Sequence, residues 1–233
     1  MVITQSVRCR AFVGRRKELA ALDERRKALA KSSGSFVLVT GEAGIGKTRL
    51  LNEFLELVRD RRSRNIVNTE CLQSAQQPLG PIRALVSELA NTVRLVDMPP
   101  VVLRALTQLI PERLDVGVVA ANARFPLEKD QLFGALWAFL GLVCAKRATL
   151  LNVEDLQWSD GSTIGFLGYL AGRIDPMRLL VVATCRSDEL ERNEKLLASM
   201  ASLLRARSFF HLASCSLSVA LGADIHKNVG GVR

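Results

Sequence analysis

The sequence predicts an α/β protein built on a mostly parallel, five-stranded sheet, and three observations carry that prediction. Apolar, β-branched runs alternate with amphipathic helical patterns along most of the chain. One such run, 36–40, passes through a glycine-studded loop straight into a helix pattern, "SFVLVTGEAGIGKTRLLNEFL". Another, 149–153, delivers two adjacent acids, Glu154 and Asp155, at its C-terminal end, where open parallel sheets place their ligand contacts.

The elements follow in order. "GRRKELAALDERRKALAK" reads as a helix with Leu19, Leu22 and Leu29 on a narrow apolar stripe and its basic residues facing outward among Glu18, Asp23 and Glu24. Strands are expected at 36–40, 65–71, 149–153, 179–184 and 209–212. The helix after the first strand sets Leu50, Leu51, Phe54, Leu55 and Val58 on one face. From about 78 to 127 the pattern stays helical but is broken by "MPP", "IPE" and "FPL", each of which ends or kinks a helix, so this segment is expected as a helical insertion. A further helix presents Leu132, Phe133, Leu136, Trp137, Leu140 and Val143 on one face, and a last one presents Leu196, Leu197, Met200, Leu203 and Leu204. Residues 1–212 are expected as one domain, with 213–233 an irregular, glycine-rich tail.

Composition narrows the function classes. A chain of 233 residues with 48% hydrophobic and 24% charged residues can bury a core of its own, and 5% aromatics leaves few stacking platforms for single-stranded nucleic acid. The net charge of +9 is concentrated at the N-terminal end: up to Glu70 there are 15 Lys+Arg against 8 Asp+Glu, whereas from Leu151 onward the two are equal at 9. A solvated helix face explains that excess first, and a phosphate-contacting patch stays open as the second reading. The five cysteines (Cys9, Cys71, Cys144, Cys185, Cys215) are scattered and never in CxxC spacing, which argues against a disulfide framework or a zinc site and fits a reducing cytoplasm. No hydrophobic leader follows the initial Met, and the apolar stretch 134–145 is too short to span a bilayer, so a core helix and no membrane role are expected. His211 and His226 stand apart from any Cys/Asp/Glu cluster, which argues against a hydrolase triad.

The loop carries the chemistry. Gly41, four residues, then Gly46, Lys47 and Thr48 form the pattern GxxxxGK[ST], between a strand and a helix as a P-loop requires. Successive backbone N–H groups of Gly41, Glu42, Ala43, Gly44, Ile45 and Gly46 are expected to cradle phosphate, because glycines tolerate the conformations such a nest needs. The helix that follows points its free amides at the phosphates through Lys47, Thr48 and Arg49. Lys47 is expected as an exposed ammonium in the free loop, with Thr48 a ligand to Mg²⁺. A nucleoside triphosphate is the expected occupant.

A P-loop needs an acidic partner, and "ATLLNVEDLQWSD" supplies it. Glu154 is expected to hold Mg²⁺ together with Thr48, while Asp155 orients or deprotonates the attacking water. "LLVVATCRSDEL" adds Thr184 and Arg186 at a strand tip: the former is a candidate phosphate sensor, the latter a cation for the transition state. The alternative for Arg186 is a plain surface arginine.

These pieces in this order resemble the STAND branch of the AAA+ superfamily, and within it the ATPase modules of LuxR-type large ATP-binding regulators and of adenylate-cyclase-associated signalling proteins. "FVGRRKEL", "GEAGIGKTRLL", "LQSAQQPLGPIRALVSEL", "LLNVEDLQWSD" and "VVATCRSDEL" carry the resemblance, which covers roughly residues 10 to 212. It implies a three-layer P-loop NTPase with strand order 5-1-4-3-2, base and ribose contacts from Phe12, Val13, Gly14 and Arg15, Glu154 and Asp155 as the Walker B pair, and Arg186 as a sensor. Asn152 departs from the unbroken apolar strand of the family and must find a polar partner. The family's helical lid and effector region are not found after the fifth strand, so a truncated module is expected.

The resulting expectation is a cytoplasmic, Mg²⁺-dependent ATP-binding and slowly ATP-hydrolysing module of a bacterial signalling or transcription-regulating protein, with a second copy or another protein as partner. Two alternatives remain. One is a DNA-binding AAA+ ATPase of the origin-recognition type, although the chain has no recognisable helix-turn-helix and so gives DNA binding no support. The other is a catalytically inert nucleotide-binding switch.

Overall fold

The computed structural model describes residues 15–58, 64–74, 77–115, 117–119, 126–192 and 194–213. Phe12, Val13, Gly14, Cys9, Cys215 and His226 therefore lie outside the described residues, as does the tail beyond 213. The elements are α1 (Arg16–Ala28), β1 (Ser35–Gly41), α2 (Lys47–Leu57), β2 (Arg64–Glu70), α3 (Gly80–Ala90), α4 (Pro100–Leu109), α5 (Lys129–Lys146), β3 (Ala148–Glu154), α6 (Gly161–Ala171), β4 (Leu179–Arg186), α7 (Ser187–Arg192), α8 (Glu194–Leu204) and β5 (Phe209–Ala213).

The strands form one sheet in the order β2-β3-β4-β1-β5, and every neighbouring pair is parallel. This is the expected order 5-1-4-3-2 read from the other edge, in a P-loop NTPase-like α/β fold. Strands β1 and β4 at the centre are buried along nearly their whole length, which is why they read as continuous apolar runs rather than as alternation. One sheet face packs Val37, Val39, Leu150, Leu180 and Val182 against Leu22 and Leu29 and against Leu50, Leu51 and Phe54 of α2. The other packs Phe36, Leu38, Leu151, Val153 and Val181 against α3 to α6 and α8. Each such buried side chain contributes about 1.5–3 kcal/mol relative to exposure.

Gly34 fixes how β1 enters the sheet. Its N–H donates to Asp175 O over 2.9 Å, and a Cβ there would stand 2.2 Å from Ile174 O and 2.8 Å from Met177 O. Only a residue without a side chain lets the chain before β1 lie this close to the turn before β4.

Prolines punctuate the helical segment as expected. Pro100 opens α4, Pro81 sits in the first turn of α3, and Pro111 opens a single 3-10 turn. Two helix faces differ from the sequence reading. In α5 the buried set includes Phe139, whereas Trp137 is only half-buried and donates its indole N–H to Arg173 O at 3.4 Å. That helix is apolar nearly all round, so periodicity alone does not choose its inner face. In α8 Leu197 is 44% exposed, while Leu196, Met200 and Leu203 are buried.

The basic helix is partly neutralised from within. Asp23 pairs with Arg26 at 2.6 Å and Lys27 at 2.8 Å, and the Arg26 hydrogen bond, reinforced by Lys27, holds the Asp23 carboxyl below its ordinary value. Arg25 lies over the Phe210 ring, 3.6 Å from its centroid. Cys71, Cys144 and Cys185 are buried free thiols. Among the described residues no helix is long and apolar enough to cross a membrane.

Candidate functional site

The site forms where β1, β3 and β4 end together. Strand register sets Gly41 beside Arg186 and Glu70 beside Glu154, so the glycine loop, the acids and the arginine reach one edge of the sheet. Gly41 is the last residue of β1, Glu42, Ala43 and Gly44 are exposed, and Ile45, Gly46 and Arg49 are half-buried. Gly44 (φ 75°) and Gly46 (φ 92°) hold left-handed conformations, which lets the loop reverse and present its amides. Gly46 caps α2, and among the described residues no side-chain cap hydrogen bond closes the start of that helix.

Lys47 differs from its expectation. Rather than standing exposed, it is 8% exposed and folds back across the loop, donating to Gly41 O at 2.9 Å and Glu42 O at 3.0 Å. Burial pushes its ammonium below the ordinary lysine value; Asp155 opposes the shift and Arg186 adds to it. Thr48 is exposed, and its hydroxyl donates to Glu154 Oε2 at 2.8 Å. The other oxygen of Glu154 accepts from Asn152 Nδ2 at 3.3 Å, which gives the amide nitrogen of this polar interruption of β3 a partner, whereas Asn152 Oδ1 is buried without one among the described residues.

Asp155 occupies a left-handed conformation, φ 58°, which an aspartate tolerates better than most residues. Its N–H donates to Thr184 Oγ1 at 2.9 Å. Thr184 is 1% exposed, so it braces Asp155 from behind instead of meeting a phosphate at the surface. Arg186 is half-buried, with its guanidinium 6.0 Å from the Trp158 ring centroid.

Three features fit a magnesium nucleotide. Among the described residues nothing stands within 4 Å of the Cβ position of Gly44, so the space beside the loop at this residue is open. Thr48 and Glu154 offer the hard oxygen donors that Mg²⁺ takes. Arg15 donates through Nη2 to Ile45 O, while its Nη1 is buried without a hydrogen-bond partner among the described residues.

A family model described as an AAA ATPase domain matches residues 11–182. The chain belongs to that family. As an AAA ATPase domain it is a nucleotide-binding P-loop module, and the family as a whole uses ATP with Mg²⁺. An uncharacterized protein of Rhizobium meliloti is 28% identical over 194 residues, which is 75% of this chain and 18% of that protein. Among solved structures, the Cdc6p of Pyrobaculum aerophilum matches with TM-score 0.54 and 15% identity over 90% of this chain and 48% of its own. The Aeropyrum pernix ORC1 protein, solved in complex with DNA, gives TM-score 0.52 and 17% identity over 89% of this chain and 47% of its own. The AAA ATPase domain described here thus spans less than a fifth of the Rhizobium protein and about half of each of these two chains, whose likeness is one of fold.

Sequence reasoning missed two contributors. Gln157, in the 3-10 turn Leu156–Trp158 after β3, contacts Asp155 and the tip of β4. Asp188, at the start of α7, carries a charge that opposes, more weakly than Asp155, the lowering of the Lys47 pKa by burial. Both sit within a few residues of a recognised motif residue, and that nearness was the only signal available.

Proposed function

We propose that this module binds ATP with Mg²⁺ and hydrolyses it slowly, as the nucleotide-responsive part of a STAND-type signalling or transcription-regulating protein. The observation that carries the reading is the convergence of the loop, Lys47, the Thr48–Glu154 pair and Arg186 on one strand edge. The chain's match to 18% of a longer relative fits a module within a larger protein, and residues 1–212 are proposed as the ATPase unit.

Lys47 lies over the loop where the β and γ phosphates would sit, and Thr48 with Glu154 would hold the metal. Mg²⁺, when bound, neutralises charge on those phosphates. Asp155 takes the proton of the attacking water, and Arg186 meets the charge that develops on the transferring group. Phe12, Val13 and Gly14 are proposed for the base and ribose, and adenine is the preferred base. Competition binding tests that preference: GTP displacing a labelled ATP analogue as well as ATP does would remove it.

A second reading, a DNA-binding ATPase of the origin-recognition type, draws on the net charge of +9. Arg25, Arg26 and Lys27 of α1 make contacts within the fold, but the net charge already counts their single acidic partner, Asp23, so that charge stays open to this reading. Duplex binding that weakens steeply with salt would favour it. Phosphate release separates the slow hydrolase from an inert switch.

A further inference from the structure

The hydrogen bonds of Gln157 link the two halves of the site. Its side chain is 9% exposed. Nε2 donates to Asp155 Oδ1 at 2.9 Å, and Oε1 accepts the Arg186 N–H at 3.1 Å. An ionised carboxylate only accepts and a backbone N–H only donates, so this amide orientation is the one that satisfies both partners. Asp155 is held at two further points, its N–H on Thr184 Oγ1 and its carbonyl accepting the Trp158 N–H, both at 2.9 Å. One side chain therefore ties the tip of β3 to the tip of β4, and the residues at those two tips, Asp155 and Arg186, are the charges that bear most on Lys47.

We propose that Gln157 is a positioning residue for ATP hydrolysis, setting the Asp155 carboxylate and the Arg186 strand tip relative to each other. The proposal rests on the ATP reading above. With Oδ1 committed to Gln157, Oδ2 is the oxygen left for water. In the step it serves, the water oxygen bonds to the γ-phosphorus and the bond from that phosphorus to the β–γ bridging oxygen breaks. ADP leaves with the bond's electron pair, and the water proton passes to Asp155 Oδ2 and then to solvent. Gln157 touches none of the reacting atoms; it fixes the geometry in which they meet, and misplacement on the scale of 1 Å costs about 10²-fold in rate.

Two variants test this. Gln157→Leu removes both hydrogen bonds, whereas Gln157→Glu is nearly isosteric, keeps an acceptor for the Arg186 N–H and replaces the donor to Asp155 with a second carboxylate. Gln157→Leu is expected to lower kcat at least about ten-fold, with KM for ATP within about two-fold. It also speeds hydrogen exchange at the Arg186 amide. Gln157→Glu is expected to lower kcat, because the donor that holds Asp155 is replaced by a repelling carboxylate, while preserving that amide's protection and leaving KM for ATP within about two-fold. Should Gln157→Leu fail to fold, Gln157→Glu alone decides. A Gln157→Glu protein with wild-type kcat would overturn the proposal and leave the ATP reading intact. A wild-type protein that releases no phosphate from ATP would overturn both.

Discussion

The Thr48 hydroxyl donates to Glu154 Oε2 over 2.8 Å, joining residues 106 positions apart in the chain. Because one oxygen comes from the helix after β1 and the other from the tip of β3, the folded sheet brings the two donors together before any nucleotide arrives. Glu154→Gln keeps the shape and removes the charge. Its Mg²⁺ requirement for ATP binding, followed by titration with a fluorescent ATP analogue, is expected to rise about ten-fold, equivalent to about 1.4 kcal/mol. Binding in EDTA should be unchanged. An unaltered Mg²⁺ midpoint would remove Glu154 from the metal site.

Asp155 stands apart from that pair, held by Gln157 and Thr184. Asp155→Asn is expected to abolish phosphate release while ATP affinity stays within about two-fold of wild type. Wild-type turnover itself should lie below about 1 s⁻¹, under the usual enzyme range, since Arg186 is the cation assigned to the transition state. Fast release by wild type, or by Asp155→Asn, would show that the catalytic parts have been misassigned.

Gly34→Ala probes the fold rather than the site. The new Cβ would meet backbone oxygens at 2.2 and 2.8 Å, and backbone does not move aside as a flexible side chain does. A loss of about 2–3 kcal/mol in urea unfolding is expected, in the range seen for overpacked positions. A change under about 0.5 kcal/mol would contradict the close approach of the chain before β1 to the turn before β4.

The sheet was legible in the sequence because β1, β3 and β4 are buried apolar runs that end in motif residues, while the partly buried edge strands β2 and β5 show as short β-branched or aromatic runs. Every expected strand is present, within two residues at each end. The placement of the loop between β1 and α2 and of the two acids at the tip of β3 was legible likewise, because each follows directly on a buried apolar run. What stayed hidden depends on side-chain direction. Nothing in the spacing of "LQWSD" shows that Gln157 turns back to Asp155 rather than out to solvent. The inward turn of Phe139 and the half-exposure of Trp137 were likewise hidden, because α5 is apolar on most sides. The burial of Lys47 depends on loop carbonyls that no sequence pattern displays.

Burial of Lys47 has a pH consequence with a definite sign. Its folded-state pKa lies below the ordinary 10.5, so in the alkaline window between those two values the unfolded chain binds more protons than the folded one. Stability of the nucleotide-free protein therefore rises with pH across that window through this group. ATP affinity falls over the same window as the loop loses its cation. Urea unfolding of wild type and Lys47→Met at several pH values up to 10.5 should give a difference that shifts in favour of wild type as pH rises. Parallel curves would contradict the buried placement.

The most direct test of the central claim, that the loop of residues 41–48 holds the triphosphate of ATP, is the ligand-induced stabilisation of wild type and Lys47→Ala by Mg²⁺-ATP. Free of nucleotide, the two proteins should differ by no more than about 1 kcal/mol, since the desolvation cost of the buried ammonium offsets the two hydrogen bonds it makes. At 100 times the dissociation constant, ATP should stabilise wild type by about 2.7 kcal/mol and leave Lys47→Ala unmoved at the same concentration. Equal stabilisation of both proteins would place the nucleotide elsewhere and contradict the account.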